Sequence, residues 1–233
     1  KGGRLGFCEA YIDGDWSSPD LAAFFAFILE NANVMQNVLE GKAWYRFVSL
    51  LIHMMRPNTR RGSRKNIYNH YDIGNAFYSK WLDESMTYSA AIFKDEHDTD
   101  LKQAQDRKYA RMVQALDLGP EHHLLEIGCG WGGFAEYAAQ NAGCKVTGIT
   151  ISEQQYEYAK DRIDKAGLSG KVDIRLQDYR ELDNTYDRIA SIEMFEAVGE
   201  TYWPVYFNTI KNCLKPDGVA VIQTITINDQ DFP

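Results

Sequence analysis

A glycine-rich turn is the part of this sequence that most clearly indicates chemistry. The residues GCGWGG, at positions 128–133, follow the apolar run Leu124 to Ile127 and precede a segment with helical periodicity. Glycines in such a turn adopt positive φ angles and leave no Cβ where a nucleotide-like ligand lies against the backbone. Because a predicted strand precedes the turn and a predicted helix follows it, the motif favours a nucleotide-like cofactor over a turn that is tight only for packing.

The residues around the turn narrow the choice of cofactor. A dinucleotide site has an Asp or Glu at the end of the second strand for the ribose hydroxyls, whereas here that strand ends in the residues GITIS, at positions 148–152. The threonine at position 150 therefore disfavours an NAD-dependent oxidoreductase. Glu126 is an acid in an otherwise apolar strand, directly before the turn. Its place predicts a role in the ligand site, the alternative being a solvated carboxylate at a strand edge.

Alternating strands and helices must position this turn. Apolar runs predict five strands, at 124–127, 145–149, 172–176, 188–192 and 218–227, and helical periodicity predicts helices at about 101–116, 134–141, 153–166 and 202–214. This order predicts an α/β fold: a doubly wound, Rossmann-like parallel sheet with helices on both faces. Since such sheets usually have more strands, we expect the C-terminal part of the fold to be missing from this chain.

A smaller helical region is predicted before the sheet. Ser18-Pro19-Asp20 is typical of a helix start with Ser18 at the cap, so a helix is expected from Leu21 to about Val38. A second helical stretch is predicted over 42–55, before Pro57. The following segment has no hydrophobic periodicity. We therefore predict a mainly helical N-terminal region over residues 1–60 and the α/β domain over 61–233.

Composition and cysteine spacing exclude several classes of protein. Of the 233 residues, 45% are hydrophobic and 25% charged, which is typical of a globular protein. The sequence has four cysteines, and no two of them form a C-x-x-C pair: Cys8, Cys129, Cys144 and Cys213. We therefore predict neither a metal site nor a disulfide scaffold, and we predict a cytoplasmic location. The longest apolar run, Leu21 to Leu29, is far shorter than the roughly 20 residues of a membrane span.

Charge is distributed unevenly along the chain. The net charge is -8, yet the first 66 residues carry nine Lys or Arg against six Asp or Glu, which leaves -11 for the other 167. Five of these cations lie within ten residues: Arg56, Arg60, Arg61, Arg64 and Lys65. Such a cluster is typical either of a surface that binds anionic lipid or of a solvated linker. The acidic main domain would repel a nucleic-acid backbone, so no nucleic-acid partner is predicted.

The motifs together resemble one family. The residues LEIGCGWGG, at 125–133, resemble the first motif of S-adenosylmethionine-dependent methyltransferases, and more narrowly that of the cyclopropane-fatty-acyl-phospholipid synthase and mycolic acid cyclopropane synthase family. Three further stretches agree: HYDIGN at 70–75 followed by Phe77-Tyr78, MTYS at 86–89, and MFE at 194–196 before Gly199. Residues 6–16 also look like the extra N-terminal domain of the phospholipid-acting members. The resemblance extends over nearly the whole chain from Arg56.

This resemblance implies S-adenosyl-L-methionine as cofactor and a set of residues that bind it. The implied contacts are Tyr88 and Ser89 at the methionine end; Glu126, Gly128, Cys129, Gly130, Trp131 and Gly132 at the carboxylate and ribose; Thr150, Ile151, Ser152 and Gln155 around the ribose and adenine; and Tyr179 and Arg180 at the adenine edge. Each has a structural alternative. Thr150 and Ser152 could cap the next helix, and Tyr179 could belong to the core.

The reaction that the resemblance implies is methyl transfer to a cis double bond in the acyl chain of a phospholipid. The carbocation that forms then loses a proton as a cyclopropane ring closes. Aromatic faces attract such a cation without attacking it, and the candidates are Tyr71, Phe77, Tyr78, Phe93 and Trp203. A close alternative gives methyl- or methylene-branched chains, and a third reading is a module that binds cofactor and lipid without catalysis.

The base that takes the proton is the point at which the sequence departs from the family. The family uses a bicarbonate ion held by a glutamate, a histidine, a tyrosine and backbone amides, and its glutamate corresponds to Glu196. This sequence has Gln223 where the family has the histidine, and Ala90 where the family has a cysteine after Tyr88-Ser89. It also has Glu193 where the family has a glycine. The catalytic candidates are thus Glu196, Glu193, Gln223 and Tyr71. Either bicarbonate or a carboxylate of the chain is the base, and Glu193 either adds negative charge near the cation or bonds to backbone or cofactor.

A phospholipid substrate implies contact with a membrane. The basic cluster and the apolar helix from Leu21 to Leu29 are the predicted docking elements, and binding should be stronger on an anionic surface. We therefore predict a cytoplasmic protein associated peripherally with the inner face of the membrane. A homodimer is compatible with the sequence, which does not determine the oligomeric state.

Overall fold

The computed structural model describes residues 3–31 and 74–228. The chain divides into two compact units, Lys1–Pro57 and Asn58–Pro233, and each is described by itself. The predicted helix over 42–55, the basic cluster at 56–65 and Tyr71 lie outside the described residues. The assignment of functions to residues 1–60 and 61–233 stays a prediction.

In the N-terminal unit, helix α1 spans Gly3–Ile12 and helix α2 spans Leu21–Glu30. Asp20, and not Ser18, caps α2: its extended backbone places a carboxylate oxygen 2.9 Å from the amide nitrogen of Ala23. The helix also ends earlier than predicted, because the Asn31 side chain donates to the carbonyl oxygen of Phe27 at 2.8 Å. Residues 32–38 of the prediction lie outside the described part of the chain.

The second unit contains the predicted parallel sheet. Its five strands are β1 (His123–Ile127), β2 (Lys145–Thr150), β3 (Val172–Leu176), β4 (Tyr186–Ile192) and β5 (Leu214–Gln223). The order is β3-β2-β1-β4-β5, and each pair of neighbours is parallel. From β1 the chain adds β2 and β3 on one side of the sheet and then β4 and β5 on the other. Doubly wound folds bind ligands at this switch point between β1 and β4.

Helices cover both faces of this sheet, as predicted. Helices α3 (Asn75–Tyr78), α4 (Leu101–Ala115), α5 (Gly133–Asn141), α6 (Glu153–Lys165) and α7 (Trp203–Cys213) complete the unit, with 3-10 turns at Tyr179–Glu181, Phe195–Ala197 and Glu200–Tyr202. Side chains alternate along β1: Leu124 packs in a cluster with Tyr109 of α4 and Phe134 of α5, whereas Leu125 packs in a second cluster with Tyr206 of α7. Glu126 lies two residues after Leu124 in β1, so its side chain is on the same face of the sheet and faces α4 and α5.

Strand β5 differs from its prediction at both ends. It pairs with β4 from Leu214 onward, and residues 215–218, of which 215–217 are exposed, bulge out before pairing resumes at Val219. The Lys-Pro-Asp-Gly sequence of this bulge has strong turn propensity, which made the strand appear to begin later. The strand ends at Gln223 because the next residues bond to Glu196 instead of to β4. Among the described residues, no helix is long and apolar enough to span a membrane.

Candidate active site

A cavity of about 900 Å³ lies at the carboxyl ends of β1, β2 and β4. It brings together most of the residues that the sequence singled out: its lining includes Tyr88, Ser89, Glu126, Gly128, Cys129, Gly130, Trp131, Thr150, Ile151, Gln155, Tyr179, Arg180, Glu193 and Glu196. Gly132 and Ser152 are not in the lining; they cap α5 and α6. Gln223 is not in the lining but contacts two residues of it, with Nε2 2.8 Å from Oε1 of Glu193 and 3.4 Å from the Ala90 carbonyl oxygen, and Tyr71 lies outside the described residues.

The glycine turn has the backbone that the sequence predicted. Gly128 has a φ of 82°, and the amides of Gly128 and Cys129 both donate to the carbonyl oxygen of Ile149, at 3.0 and 2.9 Å. A Cβ at Gly128 would lie 2.8 Å from Cγ of Met194, so the turn is also packed closely. Gly130 has a φ of 53° and nothing within 4 Å of the place where a Cβ would stand. The turn thus leaves an open backbone surface at Gly130 on the cavity wall.

The end of β2 combines a binding position with a helix cap. The Ser152 side chain accepts a hydrogen bond from the Gln155 amide, as the capping alternative expected. The Thr150 hydroxyl donates to Oε1 of Gln155 at 2.9 Å and holds that buried side chain against the cavity. Thr150 and Gln155 therefore line the cavity, while Ser152 acts on it only by positioning α6.

The wall after β3 contains an ion pair that sequence reasoning missed. Arg180 forms a fork with Asp178, with Nε 2.8 Å from Oδ1 and Nη2 2.6 Å from Oδ2. The side chain of Asp178 is almost fully buried, and it also accepts from the Arg180 amide. Tyr179 packs on Tyr206 of the core, as the structural alternative expected, and it also lines the cavity, while its contact with adenine stays a prediction. An acid at the carboxyl end of a strand was the signal that could have identified Asp178.

Helix α4 contributes two polar residues to the site that the sequence analysis did not identify. Gln105 and Lys108 are at most 2% exposed. Lys108 Nζ donates to the Ser89 hydroxyl at 2.6 Å, and Gln105 Nε2 donates to the Ser89 carbonyl oxygen at 2.9 Å. In the sequence, these two residues are spaced so that they lie on the same helix face as the buried residues Ala104 and Met112. Polar residues on the apolar face of α4 were the signal that could have identified them. They hold Ser89 in place beside the glycine turn.

Glu126 lies buried between this cluster and the turn. Its strand neighbours are the small residues Gly148 and Ala190, which leave room for the carboxyl group. Burial raises the pKa of Glu126 to about 8, although the positive charge of Lys108 opposes the shift. Burial likewise lowers the pKa of Lys108 to about 8, against the charges of Glu193 and Glu126. The alternative of a solvated edge carboxylate for Glu126 is wrong, because β1 is the central strand.

These residues fit a ligand with a cationic hydrogen-bond donor. Oε2 of Glu126 and Oε1 of Gln105 are buried acceptors that have no partner among the described residues, and both residues line the cavity. Buried acceptors without partners are costly, and an ammonium group would satisfy both. The α-amino group of S-adenosylmethionine supplies such a donor, and the open backbone at Gly130 leaves space for the rest of the molecule.

Two carboxylates in the cavity lining are each held by one main-chain amide and one side-chain donor. Oε1 of Glu193 accepts from the Ala90 amide at 2.9 Å and from Nε2 of Gln223 at 2.8 Å. Oε1 of Glu196 accepts from the Thr224 hydroxyl at 2.9 Å and from the Ile225 amide at 2.5 Å. Glu193 therefore bonds to backbone, as one interpretation of the sequence expected, and both residues line the cavity.

Four of the five rings predicted to face the cation lie outside the cavity lining, and the fifth, Tyr71, is not among the described residues. Phe77, Tyr78, Phe93 and Trp203 are absent from the lining, which instead contains the rings of Trp81, Tyr88, Tyr109, Trp131, Phe134 and Tyr179. Tyr78 is buried behind the lining, with its ring 5.0 Å from that of Trp131 and 5.5 Å from that of Tyr88. Because α3 packs inward against these rings, Tyr78 supports the wall and does not form it.

Comparison with known proteins agrees with this geometry. Residues 58–232 match the family model described as mycolic acid cyclopropane synthetase. The chain belongs to that family. The cyclopropane-fatty-acyl-phospholipid synthase of Escherichia coli is 38% identical over 99% of this chain and 58% of the relative. The tuberculostearic acid methyltransferase UfaA1 of Mycobacterium tuberculosis is 36% identical over 97% of this chain and 54% of the relative.

A solved structure of the family has the same fold. The mycolic acid cyclopropane synthase CmaA1, complexed with SAH and CTAB, superposes with a TM-score of 0.66 at 29% identity, covering 72% of this chain and 56% of the other. The present chain spans a little over half the length of the curated relatives that it matches. Membership of this methyltransferase family confirms the resemblance on which the expected cofactor rests.

Proposed function

We propose that this protein transfers a methyl group from S-adenosylmethionine to the cis double bond of an unsaturated phospholipid acyl chain, and that loss of a proton then closes a cyclopropane ring. The observation that carries the proposal is that the glycine turn, the buried Glu126 and the carboxylates Glu193 and Glu196 all line one cavity. The sulfonium of the cofactor supplies the electrophilic methyl group. The protein supplies binding, alignment and charge near the developing cation.

Each wall of the cavity has a distinct part in this reaction. Glu126 and Gln105 bind the amino group of the cofactor, and Ser89 is held beside them by Lys108. The rings of Trp81 and Tyr88 line the same cavity, where their faces exclude water and attract positive charge. An alkene is a weak nucleophile, so alignment in a dry cavity is what the site must provide.

The N-terminal unit supports a lipid substrate. Helix α2 has no buried residue, and Phe25, Phe27 and Leu29 are 47%, 57% and 75% exposed. Large apolar side chains exposed on one short helix are typical of a surface that contacts a bilayer or a partner. We propose that α2 inserts shallowly into an anionic membrane surface, helped by the basic cluster at 56–65, which lies outside the described residues.

The test of the proposed function is methyl transfer to vesicles. The protein is incubated with S-adenosylmethionine carrying a labelled methyl group and with vesicles of an unsaturated phosphatidylglycerol. We expect label in the acyl chains and, by mass spectrometry and NMR, a cyclopropane; vesicles of a saturated lipid are the matched control. A neutral unsaturated lipid, or high salt, should lower the rate because the surface attraction is screened.

Each alternative gives its own result in this experiment. A methylene- or methyl-branched product would replace the cyclopropane assignment and keep the methyl transfer. Absence of label from every lipid, with the cofactor bound, would show a binding module without catalysis.

Cofactor binding should release a proton from Glu126. With a pKa of about 8, this carboxyl is mostly protonated at pH 7, whereas an ammonium group beside it favours the ionised form. The affinity for S-adenosylhomocysteine should therefore rise with pH by up to about tenfold per unit below pH 8 and level off above it. Calorimetry at pH 7 in two buffers of different ionisation enthalpy measures the release directly. Glu126→Gln should bind more weakly and without proton release, whereas equal enthalpies in both buffers for the unmodified protein would contradict the assignment.

A further inference from the structure

We infer that Glu193 is the base of this reaction, a carboxylate of the chain that occupies the place where a free anion would otherwise have to bind. The inference rests on the proposed function and adds to it the identity of the group that takes the proton. A direct consequence is that turnover needs no added bicarbonate.

Two convergent donors make the position of Glu193 an anion site. The Ala90 amide follows Ser89 on the cavity wall, and the Gln223 side chain stands at the end of β5; they reach Oε1 of Glu193 at 2.9 and 2.8 Å. A backbone N–H and a side-chain NH₂ directed at one point would hold any small oxyanion. Here the oxyanion at that point belongs to the chain itself.

One oxygen of Glu193 stays available for chemistry. Both donors engage Oε1, and Oε2 accepts no hydrogen bond from the residues that the structure describes. Glu193 lines the cavity, whereas Gln223 does not, and an amide cannot take up a proton in this role. Oε2 is therefore the acceptor atom on this wall.

The backbone at Glu193 indicates that this placement is enforced. Its φ is 48°, in the left-handed region that glycine favours, where the family has a glycine. Non-glycine residues hold this conformation at an energetic cost that is offset by surrounding contacts and that often marks functional sites. The Glu193 amide donates to the Gln223 carbonyl oxygen at 2.9 Å, so backbone and side chain are both bonded to Gln223.

Glu196 is bound differently. Its oxygen Oε1 accepts from the Thr224 hydroxyl and the Ile225 amide, so this carboxylate holds the segment that leaves β5. Ile225 is itself part of the cavity lining. Glu196 is thereby a positioning residue that also carries negative charge near the cation, and the proton goes to Glu193.

The step balances without another reactant. After methyl transfer, a C–H bond of the transferred carbon breaks and its proton passes to Oε2 of Glu193. The electron pair of that bond forms the second bond to the cationic carbon and closes the ring. Glu193 becomes a neutral carboxylic acid and returns its proton to solvent when the product leaves.

Glycine and glutamine at position 193 provide the test. Glu193→Gln keeps a hydrogen-bonding group of the same size but cannot take the proton. Glu193→Gly removes the carboxylate and suits the positive φ, so the fold should be retained, and it leaves the Ala90 and Gln223 donors free for a small anion. Glu200→Gln is the matched control, because Glu200 is exposed and lies outside the cavity lining.

Product formation is measured in carbon-dioxide-free buffer, then with added bicarbonate or formate. We expect full turnover of the unmodified protein and of Glu200→Gln without any added anion, and a loss of roughly 100-fold or more in Glu193→Gln. Glu193→Gly should be equally impaired and then be restored at least tenfold by bicarbonate or formate. Binding of S-adenosylhomocysteine, measured by calorimetry, should be unchanged in all four proteins.

Three results would overturn the inference: a requirement of the unmodified protein for bicarbonate, normal turnover of Glu193→Gln, or a Glu193→Gly variant that no anion restores although it still binds the cofactor product. Failure of the proposed function looks different. In that case the unmodified protein labels no lipid with or without bicarbonate.

Discussion

Replacing Gly130 with valine should abolish binding of S-adenosylmethionine and of its product while the domain still folds. Gly130 has a φ of 53° and lines the cavity, and no atom lies within 4 Å of the position of its missing Cβ. A valine there would project its methyl groups over the backbone where the cofactor is expected to lie. We expect an affinity loss of roughly 100-fold or more, equivalent to about 3 kcal/mol.

Backbone strain alone must be separated from this effect, and Gly167 offers the matched control. It has a φ of 69° and open space around its Cβ position, but it lies after α6 and outside the cavity lining. Gly130→Val and Gly167→Val should each lower the free energy of unfolding by about 1–2 kcal/mol. Calorimetry should then show binding only in Gly167→Val. Equal affinities in the two variants would show that the cofactor does not bind at the glycine turn.

The second large effect is expected at Glu196. Glu196→Gln keeps an oxygen that can accept from Thr224 and Ile225 and removes the negative charge. If that charge stabilises the cation, product formation should fall by roughly 100- to 1,000-fold with cofactor binding unchanged, as for the loss of one preorganised electrostatic group. The rate of label transfer to unsaturated lipid in single-turnover reactions measures this loss.

Two further variants separate charge from positioning at this residue. Thr224→Val removes one hydrogen bond to Glu196 and leaves its charge, so a reduction of only a few-fold is expected. Glu196→Ala removes both the charge and the anchor of the segment after β5, and should be at least as impaired as Glu196→Gln. Normal turnover of Glu196→Gln together with an inactive Glu196→Ala would show that the carboxylate only positions this segment.

The order of strands and helices, the glycine turn and the place of Glu126 were all predictable from the sequence. These features are local: five apolar runs, intervening helical periodicity and GCGWGG appear directly along the chain. The errors at this level were also local in origin. Ser18 and Asp20 are both good helix caps, and the structure uses Asp20. Residues 215–218 have the sequence of a turn, so the start of β5 before them was not predicted.

Interactions between residues distant in the chain were decided only by the tertiary structure. Ser89 is held by Gln105 and Lys108 because α4 packs against the loop that carries it. Likewise, Ala90 and Glu193 are 103 positions apart in the sequence, and Glu193 and Gln223 are 30 positions apart. The sequence alone determined which residue types were available and that β1 would end in a ligand-binding turn. Which carboxylate meets which donor depends on the strand order and on the packing of α4, since hydrogen bonds act over about 3 Å and local sequence does not specify contacts across the fold.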